Sequence, residues 1–227
     1  MSENILRMIK PADIITLISA LLGFSSIILT GSGQYESALI LILIAVIADG
    51  ADGAVARYSG SGVLGENLDS LADVISFGVA PAIAAFVFLE NSGIDELVFP
   101  GLIFPGLFLA CGILRLARFN VTGKKDGFEG IPITAGGFIV ALFLIAKNII
   151  PDVEYVFVLL LFVLSLLMAS TISYPKIKSP VMLAPAGILL VLVIAGYYRE
   201  VSSLLLLVMV FVYILSPVTG RFYDRSK

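Results

Sequence analysis

From Pro11 to Pro217 the chain is a succession of apolar runs of membrane-spanning length, parted by short polar breaks. A bilayer takes about 20 residues of helix to cross, and inside it every backbone N–H and C=O must be satisfied within the segment. The runs therefore read as eight helices, at about 12–30, 35–57, 66–89, 96–117, 131–150, 154–172, 179–197 and 201–217. Composition agrees: 59% of the 227 residues are hydrophobic, 14% are charged, and the mean hydropathy is +1.07, beyond what a soluble domain tolerates. No polar block is large enough to fold separately, so the expected architecture is all-α, a polytopic transmembrane helix bundle forming one integral membrane domain over residues 1–227.

The opening MSENILRMIK has an acid and two bases, and no small-residue cleavage site follows the first apolar run. No signal peptide is expected to be removed. Of the 14 Lys and Arg, twelve fall on one side of such a bundle, among them Arg7, Lys10, Arg57, Arg115, Arg118, Lys124, Lys125, Lys176 and Lys178. Lys147 and Arg199 fall on the other, with Glu90, Asp95 and Glu96. The positive-inside rule then places both termini, and the loops near 60, 122 and 176, in the cytoplasm of a multi-pass protein of the cell membrane. The net charge of −3 hides a basic cytoplasmic surface, suited to anionic lipid heads or phosphate-bearing substrates.

The chain has no histidine and a single cysteine, Cys111. That excludes histidine chemistry, His-ligated zinc, an intrachain disulfide and a Cys-rich metal site. Catalysis is left to carboxylates, hydroxyls, Lys or Arg.

Against this background stands DGADGAVARYSGSGVLGENLDSLAD, residues 49–73, between two apolar runs. Asp49 with Asp52, and Asp69 with Asp73, are three and four residues apart, so each pair shares a helix face. The second helix should end, and the third begin, on the cytoplasmic side, and a Gly-rich turn would bring all four carboxylates together. Like charges 4 Å apart repel by roughly 4 kcal/mol at an effective dielectric near 20, so a cation is expected among them. Hard oxygen ligands without His or Cys favour magnesium, manganese or calcium, and the number of acids suits two ions. Gly50, Gly53, Ala54 and Ala56 strip the helix face beside the acids, which serves either close packing or a ligand. Arg57, one turn after Gly53, is placed to meet phosphates. Two alternatives remain at this point: a buried salt-bridge network, for which Arg57 is the stretch's only base, and an ion pathway of a small cation transporter.

Written as D-x2-D-G-x2-A-R-x7-G-x3-D-x3-D, the stretch matches at Asp49, Asp52, Gly53, Ala56, Arg57, Gly65, Asp69 and Asp73. It resembles the signature of the CDP-alcohol phosphatidyltransferases, which move a phosphatidyl group from a CDP-linked lipid to an alcohol and release CMP. SFGVAPA (76–82), CGILRLARFNV (111–121), GFEGIPITAGG (127–137) and SYPKIK (173–178) are similar to the membrane-embedded phosphatidylserine synthases, including the archaeal enzymes that make archaetidylserine. The resemblance implies an active site at the cytoplasmic end of helices two and three, with two magnesium or manganese ions on Asp49, Asp52, Asp69 and Asp73. It further implies Asp73 as proton acceptor and Gly53, Ala56, Arg57 and Gly65 around the nucleotide and pyrophosphate. PADIIT, with Pro11, Ala12, Asp13 and Thr16, resembles the segment that touches the CDP moiety; Pro and Asp also suit a helix start.

For the acceptor serine, the candidates are Arg115, Arg118 and Asn120, with Ser173, Tyr174 and Lys176 on resemblance. Arg115 and Arg118 would equally anchor a helix end, and Lys176 would equally snorkel. Glycerol phosphate or inositol phosphate are the alternative acceptors and would demand a denser basic pocket. Expected partners are CDP-lipid, L-serine, membrane lipids and, from the family, a second copy of the chain in a homodimer; no nucleic acid is expected.

Overall fold

The computed structural model describes residues 8–59, 62, 64–122, 128–174 and 180–224. All eight expected helices are there: α1 Pro11–Gly31, α2 Tyr35–Ser59, α3 Gly65–Glu90, α4 Val98–Thr122, α5 Ile133–Ile145, α6 Val153–Ala169, α7 Pro180–Ala195 and α8 Arg199–Asp224. Five described segments are long and apolar enough to cross a bilayer, Pro11–Gly31, Tyr35–Tyr58, Gly65–Glu90, Asp95–Thr122 and Arg199–Ser216. The chain is a membrane protein with an all-α bundle.

Pro11 occupies the first turn of α1, where its missing N–H costs nothing. The Asp13 carboxylate accepts the Lys10 backbone N–H at 2.8 Å and so closes that end. Gly33, at φ 78, turns the chain into α2, a conformation open to glycine. The α1–α2 hairpin is close because its facing residues are small: the Ser26 hydroxyl donates to the Ala38 carbonyl at 2.8 Å.

Helix α5 runs from Ile133 rather than 131, because Pro132 stands at its N-cap, and it ends at Ile145, followed by a 3₁₀ turn over Lys147–Ile149. Thirteen residues reach only about 20 Å. Residues Ile139, Val140, Ala141 and Leu142 are each 0% exposed, so α5 is the axis of the bundle and is covered by its neighbours. Helix α4, by contrast, outruns its expected end at 117 and carries Arg118 and Asn120 on its last turns.

Two features were not expected. Phe128–Glu129 and Ser173–Tyr174 pair as a two-residue antiparallel ribbon, with Phe128 opposite Tyr174; pieces this short show no alternation in the sequence. Helix α3 is α-helical over Gly65–Asp73, π-helical over Val74–Val79 and α-helical again over Ala80–Glu90.

The two ends of α2 define the two ends of the bundle. At its start, Arg199 pairs with Glu36 at 2.7 Å, and the Lys147 ammonium sits 5.2 Å from the Tyr35 ring centroid and 5.6 Å from that of Phe88. The two bases expected apart from the rest are thus together, at the end away from Asp49.

Candidate active site

Near the end of α2 and in the first turns of α3, carboxylate oxygens of Asp49, Asp69 and Asp73 all lie within 4.8 Å of one another. Asp73 is buried, Asp49 half-buried and Asp69 exposed. Four residues advance a helix by 400°, which leaves Asp69 and Asp73 about 40° apart on α3, both turned toward Asp49 of α2. At this separation each pair repels by roughly 3 kcal/mol at an effective dielectric near 20. A converging set of hard oxygens without nitrogen or sulfur donors fits a divalent cation of the magnesium or manganese type.

Asp52 also reaches a third helix. Three residues advance α2 by 300°, so Asp52 stands about 60° around the helix from Asp49, toward α1. There its carboxylate accepts the Thr16 hydroxyl at 2.6 Å, and it is only 6% exposed. Three of the four expected carboxylates converge at one point, and Asp52 adjoins them from the side of α1, sharing a cavity wall with Asp69.

A cavity of about 240 Å³ opens on the Asp52 side, lined by Ala12, Asp13, Thr16, Asp52, Gly53, Ala56, Gly65, Glu66 and Asp69. Apart from the carboxylates, these are the residues expected around the nucleotide, and their small side chains explain the space. Pro11 is exposed at the helix start and lines neither this cavity nor the next. Arg57 is exposed as well, but a Cβ on Gly53 would lie 3.8 Å from its Nη1, so the guanidinium runs back along Gly53 at the cavity's edge. Gly62, in the turn, approaches Asp13 so closely that a Cβ would stand 2.9 Å from the carboxylate.

A second cavity, of about 500 Å³, opens on the other side of the carboxylates. Asp49, Asp69 and Asp73 form one wall, Arg115, Phe119 and Asn120 of α4 another, and Pro132, Thr134 and Phe138 at the start of α5 the third. Arg115 is 6% exposed, with its guanidinium 5.5 Å from the Phe119 ring centroid. Asn120 donates to the Ser70 hydroxyl at 2.9 Å, tying α4 to α3 across this cavity. Asp69 and Glu66 line both cavities, which therefore meet at the carboxylates.

The remaining described candidates fall away from this space. Arg118 lines neither cavity; it donates to the carbonyls of Ser170 at 2.8 Å, Glu129 at 3.0 Å and Ala169 at 3.3 Å. It gathers the unsatisfied carbonyls at the end of α6 and the strand beside it. Ser173 is exposed in the ribbon, and Tyr174, 2% exposed, packs its ring 6.0 Å from that of Tyr213 in α8. Lys176, with Lys124, Lys125 and Lys178, lies outside the described residues. Glu66, Ser70, Phe119 and Phe138 line the cavities without having been singled out in the sequence. Glu66, one turn before Asp69, carries a spacing that would have found it; nothing in the pattern marks Phe138.

The chain is 37% identical over 179 residues to the archaetidylserine synthase of Methanothermobacter thermautotrophicus, covering 77% of this chain and 73% of the relative. It is 37% identical over 175 residues to the CDP-diacylglycerol–serine O-phosphatidyltransferase of Helicobacter pylori, covering 73% and 72%. It is 34% identical over 196 residues to the protein of the same name from Methanocaldococcus jannaschii, covering 85% and 87%. Residues 10–170, which hold both cavities and every aspartate of the acidic stretch, match the CDP-alcohol phosphatidyltransferase family, and with that match the chain belongs to this family of transferases.

Proposed function

We propose that the protein transfers the phosphatidyl group of a CDP-linked lipid to the hydroxyl of L-serine and releases CMP. What carries this reading is the pair of cavities that meet at Asp69, one bare and lined by small residues, the other holding a buried arginine. The names of the relatives from three organisms support the same acceptor.

In the smaller cavity Ala12, Gly53, Ala56 and Gly65 leave room for the nucleotide, Asp13 and Thr16 offer polar contacts, and Arg57 meets the pyrophosphate from the edge. Pro11 sets the start of α1 and so the height of Asp13 and Thr16. Asp49, Asp52, Asp69 and Asp73 would hold magnesium or manganese, two ions to a site, which when bound would neutralise the pyrophosphate and the leaving CMP.

Serine enters the larger cavity. Its carboxylate meets the Arg115 guanidinium, and Asn120, already held by Ser70, borders the same space. An unperturbed hydroxyl is a poor nucleophile at neutral pH, so its proton must go to a base during attack. Asp73, the most buried of the three converging carboxylates, takes it. The serine oxygen forms the new bond to phosphorus, the bond to the CMP oxygen breaks, and CMP leaves with that electron pair. An acceptor carrying a phosphate dianion is disfavoured, since the described lining sets one guanidinium, Arg115, against Asp49, Glu66, Asp69 and Asp73.

The aspartate end of the bundle faces the cytoplasm of the cell membrane, with both termini on that side, because the bases crowd there. Residues 1–227 act as one domain, in a homodimer. Incubation with CDP-lipid, Mn²⁺ or Mg²⁺ and a panel of L-serine, glycerol phosphate and inositol phosphate tests the acceptor, with CMP and lipid product as readouts. Serine-dependent CMP release is expected; release without serine, or preference for a phosphorylated acceptor, overturns the reading.

A further inference from the structure

Helix α3 changes its winding directly after Asp73. The π-helical turn covers Val74–Val79, and at its end the Ala80 N–H donates to the Ile75 carbonyl, five residues back. Pro81 follows and has no N–H with which to return to a four-residue spacing at that point. The turn is gripped from two sides. A Cβ on Gly23 of α1 would stand 2.6 Å from the Ser76 Cα, and a Cβ on Gly137 of α5 would stand 2.9 Å from both the Phe77 Cα and its carbonyl oxygen. The Ser76 hydroxyl donates to the Ser19 carbonyl at 2.8 Å, and Ser76 and Phe77 are 0% exposed.

The two halves of α3 answer to different partners. Beyond the turn, Ala80, Ala84 and Ala85 are each 0% exposed and Leu89 is 1% exposed, and the Tyr35 hydroxyl donates to the Ala84 carbonyl. Dry packing therefore sets the rotation of that half. Before the turn, Asp69 and Asp73 must face Asp49. An unbroken α-helix would lock the two rotations together at about 100° per residue; a turn holding one extra residue shifts one half against the other by roughly that angle.

We infer that the π-turn Val74–Val79, held by Gly23 and Gly137 and kept open by Pro81, is a positioning device that aims Asp69 and Asp73 at Asp49. None of its residues lines either cavity; they act through the two carboxylates. This rests on the proposed use of those carboxylates as ligands of a divalent cation, and not on which alcohol is the acceptor.

The test compares the full chain in lipid nanodiscs with three variants: Pro81→Ala, which restores an N–H, deletion of Val79, which removes the extra residue, and Gly137→Ala, which wedges the clamp. Mn²⁺ binding is read by electron paramagnetic resonance, and CMP release by kinetics. The Mn²⁺ concentration for half-saturation should rise roughly 10-fold to 100-fold, the size of losing a group that supports a metal ligand. The kcat should fall on the order of 100-fold, as for a misplacement of about 1 Å, with KM for CDP-lipid near that of the parent; Pro81→Ala should also keep the parental melting temperature, whereas Gly137→Ala, whose Cβ meets the Phe77 backbone, should melt lower. Pro105→Ala, which also removes a proline within a helix, should leave Mn²⁺ binding unchanged. Should the deletion not fold, Pro81→Ala carries the test. Parental Mn²⁺ binding and kcat in a folded Pro81→Ala, or an equal loss in Pro105→Ala, overturns the inference. If the parent binds Mn²⁺ yet makes no serine lipid, the acceptor reading fails while the Mn²⁺ comparison still decides this one.

Discussion

The two ends of α2 carry similar amounts of charge and put it to different use. At the start of the helix a cavity of about 620 Å³ is lined by Glu36, Lys147, Arg199 and Glu200, two acids and two bases. Glu36 is paired with Arg199, Glu200 accepts from Asn148 at 2.6 Å, and Lys147 lies against two rings. At the far end the cavity is smaller, about 500 Å³, yet Asp49, Glu66, Asp69 and Asp73 face it with Arg115 as the basic residue of the lining. Size alone would favour the balanced end. Unbalanced charge in a half-buried place, which a bound cation can offset, sets this end apart from the balanced one.

The contrast breaks first if the acidic end can spare a carboxylate. Asp73→Asn should lower CMP release on the order of 1,000-fold. In EDTA the same variant should melt above the parent, because the crowding of a third carboxylate against both Asp49 and Asp69 is relieved; parental CMP release would remove Asp73 from the role of base. Next in size, Arg115→Gln should raise the KM for serine roughly 10-fold to 100-fold, the worth of hydrogen bonds to a charged group. A serine titration with an unchanged KM would mean that the carboxylate is held elsewhere. Arg118→Ala should cost stability instead, about 2 kcal/mol by thermal unfolding, and leave the serine KM alone; a raised KM would return Arg118 to the acceptor site. Smallest of all, Glu36→Gln removes an ion pair whose carboxylate side chain is 78% exposed and should change stability by less than about 1 kcal/mol with no loss of activity. A large effect there would show that the balanced end is not merely structural.

Much of this site was legible in advance because its signals are local. The spacing of Asp69 and Asp73 guarantees a shared face on any helix, and the pairing of their helix with the end of α2 follows from a short Gly-containing turn. The small residues Ala12, Gly53, Ala56 and Gly65 marked a cavity whose walls they form. Asp52 was harder, since its direction depends on the 60° between it and Asp49 and on where α1 places Thr16. Arg115 and Arg118 looked alike in the sequence, three residues apart near one helix end. They part because one turns toward the carboxylates and the other meets the end of α6, a neighbour about 50 residues away in the chain.

The amino-acid sequence by itself determined a helical membrane bundle, the acidic stretch and the family, because apolar length and residue spacing act within a single element. Only the tertiary structure decided that α5 is the buried axis, that three of the four aspartates converge while Asp52 adjoins them from the side of α1, that Arg118 holds backbone while Arg115 faces the cavity, and that α3 opens into a π-turn after Asp73. Each of these depends on the rotation of one helix against another, and that rotation is set by close contacts such as Gly23 on Ser76 and Gly137 on Phe77, which no stretch of sequence contains alone.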